Sequence, residues 1–259
     1  LGHAFSAFCG WARARAAGGR FLVRLEDIDA TRCKPAFAHG ILEDLAWLGL
    51  HWDGEVRVQS ARLADYRAAL DDLEARGLLY PCFCTRAEIL RAQAAPHGAE
   101  VVYPGTCRAL SVAERAARMA DGAAYALRLD MARATDGVTG LRFFEEARGW
   151  VEAAPGRFGD VVLARKDTPT SYHLCVVHDD AAQGVTHVTR GEDLFEATHV
   201  QVLLQRLLGL PAPVYAHHRV LTDASGKRLA KRDKAATLRA MREAGISATD
   251  ILERFTGAA

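Results

Sequence analysis

Gly18-Gly19-Arg20-Phe21-Leu22-Val23-Arg24-Leu25-Glu26-Asp27-Ile28-Asp29 is the stretch that decides the fold. Two glycines interrupt what precedes them, an apolar run of strand length follows, and an acidic turn closes it. Upstream, Leu1 to Ala17 carries Phe5, Phe8, Ala12 and Ala16 at helical spacing, so the glycines end a helix. Downstream, Pro35 suits the first position of a second helix, with Phe37, Ile41, Leu42, Leu45 and Leu48 as its apolar face and Gly49 as its stop. A third helix carries Leu63, Tyr66, Leu70 and Leu73 and ends at Gly77. Helices alternating with a short buried strand predict an α/β layer fold.

The texture changes from Leu78. Cys82-Phe83-Cys84 precedes an Ala/Arg-rich helical segment and the turn-prone Tyr103-Pro104-Gly105-Thr106-Cys107. Ala124–Leu129 and Phe158–Leu163 look strand-like, and the region reads as an insertion between two halves of the sheet. The α/β pattern resumes after Pro169. Tyr172 to Gln183 is ambiguous between helix and strand, with Gly184 favouring a helix stop. Val185–Thr189 alternates as a strand, and Val200–Leu208 is a helix ended by Gly209.

Among 259 residues, 33 Lys+Arg face 32 Asp+Glu, so a formal charge of +1 gives no general signal for a polyanion, and nucleic acid must be met by a local patch. No apolar run reaches the ~18–20 residues of a membrane span. Six cysteines without a secretory leader point to reduced thiols in the cytoplasm. Only five lysines stand beside 28 arginines, and Lys227, Lys231 and Lys234 cluster, as though a flexible point charge were wanted there. A solvated basic turn would look the same.

Gly2-His3 opens a helix whose free N–H groups and dipole suit an anion. Gly226-Lys227-Arg228-Leu229-Ala230-Lys231-Arg232 could close over a triphosphate. Either feature alone is weak. Taken in order with Arg24–Asp29 and Gly184–Leu194, they resemble the class I aminoacyl-tRNA synthetases. Leu1-Gly2-His3-Ala4 looks like the end of the "HIGH" signature and Arg228–Arg232 like the "KMSKS" loop, while the two inner stretches resemble the glutamyl branch. The resemblance runs from Leu1 to about Arg232. It places the first histidine of the signature, and the strand leading to it, upstream of Leu1. In the lysine loop Arg228 stands at the first Lys position and Ala230 at the Ser position, while Lys231 is kept.

The short C-terminal tail and the cysteine pattern resemble the shorter members of this branch, which lack an anticodon-binding domain. The resemblance implies a Rossmann-like, doubly wound parallel sheet with a zinc-bearing insertion and a short C-terminal helical tail. The first catalytic half would span 1–77 without its upstream strand, the insertion 78–157, the second half 158–222, and the lysine loop with the tail 223–259. It implies activation of glutamate by Mg²⁺-ATP and transfer of the glutamyl group to the queuosine base of aspartate tRNA. The partners would be glutamate, ATP and that tRNA, with no membrane and a monomeric chain. A fragment charging a tRNA 3′ end, a non-catalytic zinc module binding RNA, and a nucleotidyltransferase are the competing readings.

Residue by residue, Gly2, His3, Arg228 and Lys231 would hold ATP, with His3 and Lys231 as the catalytic pair. Glu26, Tyr172 and Arg190 would hold glutamate: Arg190 offers a fork to its side-chain carboxylate, and Glu26 accepts from its ammonium group. Read alone, Arg190 and Glu26 equally fit a structural ion pair, and Tyr172 a core aromatic. Cys82, Cys84 and Cys107 could hold zinc, with Tyr103 as fourth ligand on the resemblance alone; alternating buried thiols are the other reading. Mg²⁺ follows from triphosphate chemistry, without named ligands. Cys9, Cys33 and Cys175 read as inert thiols, and His173, His178 and His187 as structural.

Overall fold

Helix α1 (Gly2–Ala16) stops where its glycines stand, Gly18 taking φ +63°, a conformation that favours glycine. The computed structural model describes residues 1–85, 87–89, 102–165, 167–221 and 237–257. After α1 come β1 (Arg24–Leu25), α2 (Pro35–Trp47), β2 (Arg57–Val58), α3 (Leu63–Ala75) and β3 (Leu79–Cys82). Next are α4 (Val112–Ala120), β4 (Ala126–Leu129), α5 (Met131–Thr135), β5 (Arg142–Glu145), β6 (Gly149–Glu152) and β7 (Val162–Arg165). Then follow α6 (Tyr172–Ala182), β8 (His187–Gly191), α7 (Phe195–Leu208), β9 (Val214–His218), α8 (Leu238–Glu243) and α9 (Ala248–Thr256). No helix among the described residues is long and apolar enough to cross a membrane.

The α/β class holds, but the single doubly wound parallel sheet does not. The described strands form three sheets: β1-β2, β3-β4-β7, and β6-β5-β9-β8. The first is parallel, the second antiparallel, and the third mixed, with β5 and β8 both parallel to β9 and β6 antiparallel to β5. Thus the β5–β6 hairpin, drawn from the segment before Pro155, hydrogen bonds to the strand just before residue 219. Strands were also shorter or displaced from the sequence reading. Of Phe21–Leu25 only Arg24–Leu25 enters a ladder, and β8 begins at His187 rather than Val185. Phe158 sits in a 3₁₀ turn, so the strand expected from it starts at Val162.

One core gathers Tyr66, Leu70 and Leu73 of α3 with Leu129, Leu163, Leu174 and Leu203, all fully buried. A second joins Phe5 of α1 and Leu45 of α2 to Ile251 and Phe255 of α9, the rings of Phe5 and Phe255 meeting edge-on at 5.5 Å. Burying a side chain of this size contributes roughly 1.5–3 kcal/mol, so α9 is anchored through its apolar stripe. Ser247 and Asp250 close a reciprocal capping box at its start. The apolar face of α2 is only half used: Leu45 and Leu48 are buried, while Phe37 and Ile41 are 59% and 44% exposed. Periodicity had marked the whole stripe, but only its C-terminal end meets α1 and the core.

Candidate active site

The carboxyl ends of β8 and β9 carry Arg190 and His217, which are direct partners in the parallel ladder. Ligands of open α/β sheets bind at such strand ends. Helix α1 packs on the same strands, and His218 Nε2 lies 2.9 Å from Ser6 Oγ, one turn along α1 from His3. His3 is exposed at the helix opening, where neither a side-chain cap nor an acidic residue occupies the first turn. A helix N-terminus of this kind favours an anion.

Arg190 is 8% exposed, and all its described partners are neutral. Its Nε donates to His217 Nε2 at 3.1 Å, Nη1 to Gln201 Oε1 at 2.7 Å and to Tyr172 Oη at 3.5 Å, and Nη2 to Thr198 Oγ1 at 2.5 Å. A guanidinium has five N–H groups, and these four contacts leave one over. A buried cation facing hydroxyls, an amide and an imidazole is solvated but not charge-paired at contact. The structural ion pair with Glu26 does not form; Glu26 instead accepts from Arg24 Nη2 at 3.3 Å.

Tyr172 is the first residue of α6, whose N-cap Ser171 accepts from the Leu174 amide, so the helix start fixes where the ring stands. Burial raises the Tyr172 phenol pKa, with Arg190 opposing and the charge of Glu26 adding to it, which places all three in one neighbourhood. Glu26 keeps 41% of its side chain open. Its carboxyl pKa is nevertheless raised, burial being the largest cause and Arg24 acting against it. The group is therefore reachable yet partly stripped of water. Beside them, burial and then Arg190 push the His173 imidazole down to about 4, and its Nδ1 has no hydrogen-bond partner.

The strands below are fastened by carboxylates of α6. Arg24 Nη1 donates to Asp180 Oδ1 at 2.7 Å. Fully buried Asp179 accepts from Arg57 Nε at 2.7 Å, Gln59 Nε2 at 3.0 Å and Tyr66 Oη at 2.8 Å. His178 sits edge-on to Tyr66, in keeping with a structural role, whereas His187 is exposed and contacts its neighbour Thr186. Arg228 and Lys231 lie outside the described residues.

Away from this site, Cys82, Cys84 and Cys107 bring their Sγ atoms within 4.8 Å of one another, the only such metal-capable group among the described residues. Cys84 and Cys107 are 3.5 Å apart, and Tyr103 Oη is 3.6 Å from Cys84 Sγ. Thiolates at the Zn–S distance of ~2.3 Å in a tetrahedron stand about 3.8 Å apart, so three thiols within 4.8 Å of one another could hold a metal ion such as zinc. Gly105, at φ +81°, makes the turn that returns the chain to Cys107, and the Phe83 amide donates to Cys107 Sγ at 3.3 Å. Burial drives the Cys84 thiol up to about 11 and the Tyr103 phenol higher, whereas hydrogen bonds outweigh burial at Cys107 and lower it. Cys9, Cys33 and Cys175 join no such group.

Sequence reasoning passed over Glu145, Thr198, Gln201 and His217. The period-2 alternation of Tyr215 and His217 on β9 was the available signal, but it needs the register against β8 to point at Arg190.

A family model described as the catalytic domain of class I tRNA synthetases (E and Q) matches residues 1–256. A glutamyl-Q tRNA(Asp) synthetase of Rhodobacter capsulatus is 53% identical, over 97% of this chain and 93% of its own. One from Nocardia farcinica is 46% identical, over 99% and 79%. Among solved structures, a glutamate tRNA ligase of Elizabethkingia meningosepticum in complex with its amino acid superposes with a TM-score of 0.73 at 26% identity, over 90% of this chain. A glutamate-tRNA synthetase of Elizabethkingia anophelis gives 0.75 at 26%, again over 90%. The chain spans about half the length of these two solved structures, at 49% and 50%.

Proposed function

Given that the chain belongs to the class I tRNA synthetases for glutamate and glutamine, we propose that it activates glutamate with ATP and glutamylates the queuosine base of aspartate tRNA. It is a ligase of that family. The glutamate α-carboxylate oxygen attacks the α-phosphorus of Mg²⁺-ATP, and the bond to pyrophosphate breaks. A queuosine hydroxyl then attacks the acyl carbon, and AMP leaves. Neither step needs a protein nucleophile; positioning and charge stabilisation carry the chemistry.

The observation that carries this reading is Arg190, a buried guanidinium with neutral contact partners, one N–H left over and another held only by the 3.5 Å contact to Tyr172. It suits the side-chain carboxylate of glutamate, with Glu26 accepting from the ammonium group and Tyr172 beside both. His3 and the Gly2 end of α1 would meet the ATP phosphates, and Arg228 and Lys231 the triphosphate from the lysine loop. Mg²⁺ would arrive with ATP. Cys82, Cys84, Cys107 and Tyr103 would hold zinc, whose contribution there is to fix the fold of the 78–157 insertion. The enzyme would work as a single chain in the cytoplasm.

The shared name of relatives 43–53% identical to the chain favours the queuosine base over a tRNA 3′ end, and activation over mere RNA binding. Glutamate-dependent ATP–pyrophosphate exchange without tRNA tests activation. Labelled glutamate should then appear on a queuosine-bearing anticodon stem-loop; label on the 3′ end of unmodified glutamate tRNA would reverse the assignment.

A further inference from the structure

Behind Arg190 the polar contacts continue, from Arg190 to His217 and from His217 to Glu145. His217 Nδ1 lies 2.5 Å from Glu145 Oε2, and the His217 backbone amide donates to Glu145 Oε1 at 3.1 Å. The two side chains are 4% and 1% exposed, so water does not compete for these bonds. Phe195 stands edge-on to the imidazole and Tyr215 stacks beside it, which leaves the ring little freedom to turn.

The hydrogen positions follow from the partners. The Nε of an arginine always carries hydrogen and can only donate, so His217 Nε2 must accept. The imidazole proton therefore sits on Nδ1, where a carboxylate only needs to receive it. We infer that Glu145 and His217 are positioning residues for amino-acid recognition: Glu145 fixes the His217 tautomer, and His217 fixes the plane and reach of the Arg190 guanidinium. Burial pushes the imidazole pKa down, against the pull of Glu145, in keeping with a neutral ring. Asp180 is the carboxylate that acts on Arg190 through space, whereas Glu145 reaches it only through the imidazole. No carboxylate touches the guanidinium, and one Nη2 hydrogen is left for a ligand. A carboxylate bonded directly to Arg190 would compete with the substrate's own.

This inference rests on the proposed function for its substrate, but the ring itself can be tested without activity. Glu145→Gln is nearly isosteric. Its carbonyl must stay on the His217 backbone amide, so its NH₂ faces Nδ1 and drives the proton to Nε2, where it opposes the Arg190 N–H. We expect the KM for glutamate to rise about 10- to 100-fold, the loss of one charge-assisted hydrogen bond, with the KM for ATP unchanged. His217→Gln, which offers an acceptor to Arg190 and a donor to Glu145, should recover much of the affinity lost in His217→Ala. Nitrogen-15 spectra of the wild-type ring should show the proton on Nδ1 and an unprotonated Nε2. An Nε2-protonated wild-type ring, or a folded Glu145→Gln chain with unaltered KM for glutamate, overturns the inference. Absence of any glutamate-dependent exchange in the wild type would instead defeat the functional reading, with the spectra still deciding the tautomer. If Glu145→Gln does not fold, the wild-type spectra and the His217 pair decide.

Discussion

Arg24 and Asp180, 156 residues apart in sequence, meet through a 2.7 Å hydrogen bond that ties β1 to α6. The bond sets Glu26, two residues beyond Arg24, against the helix that begins with Tyr172. Next to it Asp179, 0% exposed, draws in Arg57, Gln59 and Tyr66. The proposed amino-acid site thus stands on a polar clasp rather than on apolar packing alone.

That clasp has a pH signature. Burial would raise the Asp179 carboxyl, but the nearby His178, at 3.8 Å, and hydrogen bonds from Tyr66, Arg57 and Gln59 outweigh it and hold the pKa down at about 2, against 3.8 for the free group. A depressed folded-state value means stability fully present above pH 3.8 and lost as pH falls toward 2. The contribution is roughly 2 kcal/mol. Denaturant titrations at stepped pH should show Asp179→Asn losing less stability over that window than the wild type. Parallel acid slopes would remove the clasp from the acid response.

Arg190→Lys retains a charge but loses the planar fork and the Nε contact to His217. The KM for glutamate should rise by an order of magnitude or more while ATP affinity holds, since a lysine cannot reproduce bidentate recognition. Steady-state exchange kinetics with each substrate varied in turn measure both. Equal losses for glutamate and ATP would point to a disturbed fold instead.

Lys231→Ala should lower the rate of adenylate formation roughly 10²–10³-fold, the scale for removing one charge aimed at a leaving group. Single-turnover measurement separates that step from ATP binding. A mutant with normal turnover and weaker ATP affinity would make Lys231 a ground-state contact.

About one zinc per chain should copurify, and Cys107→Ser should release it and lower the thermal midpoint. Structural zinc contributes its binding free energy to folding. Elemental analysis of protein never exposed to chelator gives the answer; a metal-free preparation of equal stability would leave three thiols and a phenol hydrogen bonded to one another.

Much of this was legible before any coordinates. The spacing of Tyr66, Leu70 and Leu73 gave both a helix and its buried face, and Gly209 at φ +65° stops α7 where the glycine predicted. Cys82 and Cys84 stood out by their alternate spacing, whereas Cys107, 23 residues beyond Cys84, was joined to them through the resemblance. Phe37 and Ile41 misled, because periodicity identifies a stripe without saying what will cover it. The sheets misled for a different reason: β1 and β2 have two ladder residues each, too few for alternation to declare an order or a direction. Glu145 and His217 stayed hidden because their meaning depends on a parallel pairing between segments 72 residues apart, and sequence spacing carries no trace of it.

The register of β8 against β9 carries more than cohesion. Arg190 stands across from His217, and Glu145 across from Tyr215, through the same ladder bonds that hold the sheet together. A slip of one residue would turn His217 to the opposite face and leave Arg190 opposite an alanine or a second histidine. On the proposed function, strand alignment and the choice of amino acid are then a single variable.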